Sequence, residues 1–334
     1  MKYIFVTGAG RCGTNLINGI LDGHSKLNVF PGEVTNLLYH SFINNGFSLK
    51  FNNSENTKFL INTFLKEIKI NKKLQRKKKI IKYLESKNNF SINIVLNAIL
   101  SNLYNSKKTN VINIQNENIS GILENFKDSK IIHMIRNPYT QINSRYLFRH
   151  KNPINYSGTD FSDSFKRNYI SFKQASLFKE NKNVKIIKLE ELIDYPEKTV
   201  KKIFKFLNLS IEKKNLKLTQ QNKIFVSTHR GSNKKSFKIM KYSDDYSCLL
   251  PNDLYYCSKI KTAKPFYKIK SHPKVKNSYW LFLLRHIGLI GNNRKLPKNL
   301  ILIIKLIIHS IYNYIADRHI KDEFDNFLQE TSKH

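Results

Sequence analysis

Short apolar runs and helical apolar spacings alternate along the first 209 residues of the chain. Five runs are apolar at most positions, rich in β-branched or aromatic residues, and short enough to be strands. They lie near residues 3–7, 27–30, 110–114, 130–135 and 184–189. Directly after the first run, apolar residues recur at helical spacing, at Leu16, Ile17, Ile20 and Leu21. This alternation predicts an α/β fold with a central parallel sheet flanked by helices.

Two further regions depart from this pattern. Residues 36–110 show several helical apolar periodicities, which predict a helical insertion. The composition changes near residue 240, where the chain becomes rich in turn-forming residues. We therefore predict one domain over 1–237 and a C-terminal extension with apolar helices over 238–334.

The extension contains two strongly apolar stretches, at 280–284 and 300–314. The second includes Lys305 and His309, which are four residues apart and so share one helical face. It is shorter than a membrane span requires. Two interpretations stay open: a helix covered by protein, or contact of residues 280–316 with a membrane surface.

The charge balance favours anionic partners, because 58 Lys and Arg residues stand against 24 Asp and Glu, a net charge of +34. Lysine is spread through the whole chain. The densest run, at 72–82, is typical of a solvated helix face, so we predict no specific nucleic-acid site.

The three cysteines, Cys12, Cys248 and Cys257, are too few and too scattered for a disulfide framework or a metal site. They fit a reducing compartment. Neither a signal peptide nor an anchor precedes the first strand. We therefore expect a cytoplasmic protein without a metal, associated with a membrane only if residues 280–316 contact lipid.

A glycine-rich turn, Gly8 to Asn15, joins the first strand to the first helix. Glycine lets the backbone approach a ligand, and a helix N-terminus attracts anions. Arg11 adds a planar guanidinium suited to phosphate or sulfate oxygens. The lysine of an ATP-binding P-loop is missing from Gly13-Thr14-Asn15. The literal G-x-G-x-x-G match, with Glu33 about twenty residues on, leaves a dinucleotide-binding oxidoreductase open.

A second set of polar residues follows the run at 130–135. Arg136 stands at the predicted carboxyl end of this strand, where α/β sheets bind ligands. Pro138 predicts the opening turn of a helix, and Ser144 lies about two helical turns further on. A guanidinium and a hydroxyl that face one cleft are suited to a terminal phosphate.

Together these motifs resemble those of sulfotransferases that use 3′-phosphoadenosine 5′-phosphosulfate (PAPS). The first loop is similar to their G-x-x-R-S-G-T-[TN]-L, with Cys12 at the serine position, and residues 130–146 are similar to their 3′-phosphate motif. The resemblance covers roughly residues 1–237 and implies a three-layer, P-loop-like fold with PAPS as sulfuryl donor. It implies these donor-binding residues: Arg11, Cys12, Gly13, Thr14, Asn15, Arg136 and Ser144.

The resemblance also implies the catalytic groups. The segment from His24 to Glu33 is similar to the D-x-H-P-x-V … G-E of bacterial and protein-tyrosine members, whose glutamate is the base. Glu33 would then take the acceptor's proton while Arg11 stabilises charge. One residue departs from the pattern, because Gln115 stands where related enzymes carry a lysine that stabilises the leaving group.

The acceptor stays open among glycan, lipid, peptide and small metabolite, with residues 36–110 as the expected acceptor region. The departure at Gln115 also leaves a less active or non-catalytic homologue open. The last alternative is a non-catalytic basic protein that binds acidic polymers or membranes.

Overall fold

The computed structural model describes most of the predicted sheet region and parts of the C-terminal extension. Continuous stretches are 2–33, 92–104, 107–114, 118–149, 159–212, 249–274 and 279–286. Single residues and short segments are also described within 80–86, 215–224 and 304–326.

Strands and helices alternate along the described chain. In order they are β1 (Tyr3–Gly8), α1 (Thr14–Leu21), β2 (Leu27–Glu33), α2 (Ile92–Leu103), β3 (Thr109–Ile114), α3 (Ile119–Asn125), β4 (Lys130–Ile135), α4 (Pro138–Arg149), α5 (Thr159–Phe178), β5 (Val184–Lys188), α6 (Leu189–Asp194), α7 (Pro196–Leu207), β6 (Thr219–Gln220), β7 (Lys223–Ile224), α8 (Pro251–Lys259) and α9 (Tyr279–His286). The predicted α/β class is confirmed.

The central sheet has five strands, all parallel, in the order β2-β3-β1-β4-β5. β1 lies in the middle and pairs with β3 on one side and β4 on the other. Every predicted strand is present. The apolar runs are nearly continuous because a parallel sheet is covered on both faces.

β2 extends to Glu33 instead of ending near residue 30 as predicted. Its register against β3 shifts, since Val29 pairs with Val111 whereas Glu33 pairs with Asn113. Four steps along β2 therefore match two along β3. Pro31 lacks the N–H that a ladder bond needs, which favours a bulge at this point.

One face of the sheet packs against α1 and α7. Strand residues such as Val6, Val111 and Ile132 form one buried cluster with Ile17 of α1 and Phe204 of α7. Burying side chains of this size stabilises the fold by about 1.5–3 kcal/mol each. This packing fixes the start of α1, and hence the loop before it, against the sheet.

The chain folds as two compact units, which interleave in sequence. The first consists of Met1–Ile135 and Leu177–Lys241 and contains the sheet; the second consists of Arg136–Ser176 and Tyr242–His334. The division at residue 238 stays a prediction. Most of the predicted insertion, 36–110, lies outside the described residues.

Within the second unit, aromatic contacts join α5 to the C-terminal region. Phe165 packs edge-on against Tyr256 of α8, and Phe172 contacts the rings of Phe266 and Tyr267. No helix in the described stretches combines the length and apolarity that a membrane span requires.

Candidate functional site

The turn after β1 depends on backbone conformations that favour glycine. Gly8 has φ +146° and Gly13 has φ +91°. A Cβ on Gly8 would overlap the carbonyl oxygen of Met134, because β1 and β4 approach closely there. A Cβ on Gly13 would lie 2.6 Å from Cδ1 of Leu189. The glycines are therefore required by the fold of the loop as well as by any ligand.

The loop ends in an uncapped helix N-terminus. Gly13 is the N-cap of α1, and its carbonyl accepts bonds from the N–H groups of Leu16 (2.9 Å) and Ile17 (3.3 Å). It has no side chain to accept a bond from the first turn, which also contains no acidic residue. The first N–H groups of a helix have no intrahelical acceptor, so this end presents donors and a positive dipole. Such an end binds anions.

Arg11 adopts a left-handed backbone conformation, with φ +73°, and its side chain is half-buried. Left-handed backbone is uncommon for a residue with a Cβ and costs about 1 kcal/mol or more. Strain of this kind concentrates at ligand-binding turns. Cys12 differs, because its side chain is buried in the cluster with Ile17. The side chain of Cys12 is therefore turned away from any ligand, and its N–H donates to the Ala9 carbonyl at 3.2 Å.

Asn113 ties the loop to the neighbouring strand, which the sequence did not predict. Its side chain is fully buried on β3, and its Nδ2 donates to Oδ1 of Asn15 at 2.7 Å. The Oδ1 of Asn113 has no hydrogen-bond partner within the described part of the chain. An asparagine inside the apolar run N-V-I-N-I was the available signal. This bond holds the Asn15 amide in one orientation.

Glu33 is the last residue of β2, three residues beyond the predicted end of this strand. Its backbone is in register with Asn113 on β3, and Asn113 is in register with Val6 on β1. Neighbouring strands are about 4.8 Å apart, so the end of β2 is about 10 Å from β1. The structure thus brings Glu33, Asn113 and the Asn15 loop to one end of the sheet. Gln115 lies outside the described residues.

Arg136 and Ser144 belong to the second unit. Arg136 is the first residue after β4 and is 2% exposed; its Nε donates to Oγ1 of Thr140 at 3.1 Å. That hydroxyl donates to the carbonyl of Asn137, also at 3.1 Å. Ser144 lies two turns along α4 and is 8% exposed. Thr140, four residues after Arg136, fixes the guanidinium in position, and the sequence did not indicate this role.

The start of α4 is held to α5 by buried amides. Gln141 and Asn168 are fully or almost fully buried, and Asn168 Nδ2 donates to Gln141 Oε1 at 2.6 Å and to the Ser164 carbonyl at 2.8 Å. Buried amides are costly unless bonded, so this network fixes how α4 packs. The position of Ser144 on α4 is set by it. No cluster of three metal-ligating side chains occurs among the described residues.

The strand order differs from that of the dinucleotide-binding fold. In the dinucleotide-binding fold β2 lies beside β1, so that its acidic residue reaches the ribose next to the glycine loop. Here β3 separates β2 from β1. The G-x-G-x-x-G match is therefore a feature of the loop and not of that fold.

The sequence model of the Sulfotransferase family matches residues 3–213, from β1 to just beyond α7. The chain belongs to the Sulfotransferase family. The match includes both predicted phosphate motifs and confirms the resemblance over those residues. No functionally curated protein matches the chain.

Solved sulfotransferase structures are similar to this chain at low identity. The sulfotransferase domain from the curacin biosynthetic pathway is 20% identical and has a TM-score of 0.48, covering 80% of this chain and 93% of that one. The sulfotransferase domain from the Synechococcus PCC 7002 olefin synthase is 14% identical (TM-score 0.47, 66% and 79% covered). Mouse sulfotransferase SULT7A1, solved with PAP, is 15% identical (TM-score 0.38, 64% and 60% covered).

Proposed function

We propose that this chain transfers a sulfuryl group from PAPS to a hydroxyl or amine of an acceptor. The observation that supports this best is the turn after β1: an uncapped helix N-terminus, an arginine in a left-handed conformation, and glycines at positive φ. In support, the turn lies within residues 3–213, which match the Sulfotransferase family.

The residues of the turn fit a phosphosulfate. The first N–H groups of α1, including that of Thr14, can donate to phosphate and sulfate oxygens. Arg11 supplies a permanent positive charge in a planar fork. Asn15, oriented by Asn113, adds a side-chain amide at the same helix end. We assign the 5′-phosphosulfate of the donor to these residues.

The residues at the start of α4 fit a second phosphate. The guanidinium of Arg136 is oriented by Thr140, and Ser144 offers a hydroxyl two turns along the helix. A charge-assisted bond to phosphate is about twice as strong as a neutral one. We assign the 3′-phosphate to Arg136 and Ser144. A nucleotide with one phosphate group at the 5′ end would not use them.

The chain's own residues then have three tasks. Bound PAPS supplies an activated sulfuryl group on a phosphate oxygen. Glu33 accepts the proton of the acceptor's hydroxyl or amine. At the same time the acceptor's oxygen or nitrogen bonds to sulfur, and the bond between sulfur and the phosphate oxygen breaks. Arg11 and the helix end offset the negative charge that the departing phosphate gains. The leaving group is adenosine 3′,5′-bisphosphate.

Ligand-induced stabilisation tests the assignment without knowledge of the acceptor. Adenosine 3′,5′-bisphosphate should raise Tm more than AMP, ATP or NAD does, because only it carries a phosphate at both the 3′ and the 5′ position. At a ligand concentration of about 100 Kd, the free energy of unfolding should rise by about 2.7 kcal/mol. Arg136→Lys and Ser144→Ala should remove the preference for the bisphosphate over AMP.

Two control variants test whether removal of any positive charge, or of any serine hydroxyl, has the same effect on binding. Lys26→Ala removes an exposed positive charge, and Ser101→Ala removes a serine hydroxyl on α2 that donates to the Ala98 carbonyl. Both should bind the bisphosphate as the unchanged protein does. Stabilisation by NAD that survives Arg136→Lys would contradict the PAPS assignment and favour the oxidoreductase alternative. Absence of any nucleotide effect would leave the basic binding protein.

A further inference from the structure

The C-terminal extension exposes a continuous aliphatic stripe. Residues 304, 307, 308, 311 and 315 are all isoleucine, all helical, and between 37% and 63% exposed. At 100° per residue they fall within about 100° of the helix circumference. Ser310, on another side of the same turns, is fully buried. The helix therefore packs by one side and presents isoleucine on another.

A second helix, α9, contacts the helix that carries this stripe and exposes a tryptophan. Tyr279, the first residue of α9, packs edge-on against Tyr314, with ring centroids 5.4 Å apart. The next residue in each segment is exposed: Trp280 at 70% and Ile315 at 63%. Scattered exposed apolar residues are ordinary, but a contiguous group marks an interaction surface. We call Trp280 with the five isoleucines the apolar face.

The charge of the surrounding sequence indicates what covers the apolar face. Between Asp253 and Asp317 the sequence contains no acidic residue and twelve Lys or Arg residues. Lys261, Lys264 and Lys268 of this stretch are exposed. Aliphatic residues, an exposed indole and basic charge together are the chemistry of a helix that lies in the interface of an anionic bilayer.

We propose that the apolar face binds the surface of an anionic membrane. A second copy of the chain is disfavoured, because both copies would bring a net charge of +34 and the same acid-free stretch to the contact. Anionic lipid headgroups attract that charge, while the isoleucines and Trp280 enter the boundary of the acyl chains. This would restrict the enzyme to reactions near a membrane.

Vesicle sedimentation tests the proposal on the full chain. The protein should bind vesicles of phosphatidylcholine mixed with phosphatidylglycerol, and bind pure phosphatidylcholine at least about tenfold more weakly. The double variant Ile308→Ser/Ile315→Ser keeps the charge and should lower the partition coefficient about tenfold or more. The control Leu177→Ser/Tyr195→Ser removes two apolar side chains of equal exposure, 64% and 63%, and should bind as the unchanged protein does.

Three results would overturn the proposal: no binding to the anionic vesicles, equal binding by the Ile308/Ile315 variant and the unchanged protein, or a dimer in sedimentation velocity that this variant dissociates. The last result would assign the apolar face to a second copy. Melting curves without ligand show whether each variant is folded. Vesicle binding does not require sulfate transfer, so its outcome is independent of the proposed function.

Discussion

The hydrogen bond between Asn113 and Asn15 predicts that one substitution can weaken ligand binding without lowering the free energy of unfolding. Asn113→Leu keeps the branched shape of the side chain but removes both polar atoms. The lost bond to Asn15 costs about 1 kcal/mol. The same change removes a buried Oδ1 that has no partner in the described chain, which returns about 1–3 kcal/mol. We therefore expect the free energy of unfolding to stay the same or to rise by up to about 2 kcal/mol.

Affinity should respond differently, because the Asn15 amide would no longer be held toward the ligand. A loss of about 1 kcal/mol of oriented binding corresponds to about a fivefold higher Kd. Isothermal titration with adenosine 3′,5′-bisphosphate measures this Kd directly. Urea denaturation of the same variant measures its stability.

The same strand provides a matched control. Asn110 is also buried on β3, and its Oδ1 accepts a bond from Nδ2 of Asn28 at 3.2 Å, while its own Nδ2 has no partner in the described chain. It lies three residues before Asn113, about 10 Å from it along the strand. Asn110→Leu should leave the Kd unchanged. Equal weakening by Asn110→Leu and Asn113→Leu, or no weakening by either, would refute the reasoning.

Three more outcomes follow. Gly8→Ala should lower the free energy of unfolding, measured in urea, by about 3 kcal/mol or more, because of the clash with the Met134 carbonyl and the positive φ. Gly13→Ala should lower it by less, since the flexible Leu189 side chain can move aside, and equal losses would contradict this. Glu33→Gln should lower transfer from labelled PAPS to an acceptor mixture by about 10²–10⁴-fold with unchanged bisphosphate affinity, and full turnover would exclude it as base. Burial raises the pKa of the Tyr3 hydroxyl above its ordinary value of about 10. The contribution of Tyr3 to the free energy of unfolding should therefore be fully present below pH 10 and be lost as the pH rises. Tyr3→Phe should reduce the fall of Tm with rising pH, and an unchanged fall would assign it to other groups.

Much of the sheet could be predicted because burial on both faces leaves a local signature. β1, β4 and β5 are apolar at most positions and β3 at half of them, and the described structure confirms all four. The bulge in β2 was missed. Pro31 favours a bulge, but the shifted pairing of Glu33 with Asn113 is a relation between strands and is absent from the local pattern.

The candidate site was predictable where the chemistry lies in one short segment. The turn from Gly8 to Asn15 shows its glycines, its arginine and the following helix within eight residues, and the structure gives it the expected form. The partner of Asn15 could not be found this way, because Asn113 lies 98 residues away. Contacts at such separation depend on strand order, which no local spacing encodes.

The sequence by itself determined the parallel sheet, the glycine-rich turn before α1 and the basic charge, since each follows from side-chain type and near-neighbour spacing. Tertiary structure alone decided that β3 separates β2 from β1, which excludes the dinucleotide fold despite a matching motif. It also decided that the isoleucines at 304–315 face outward. An apolar helix has the same sequence whether protein or solvent covers it, and only the packing of the other elements determines which of its sides is left exposed.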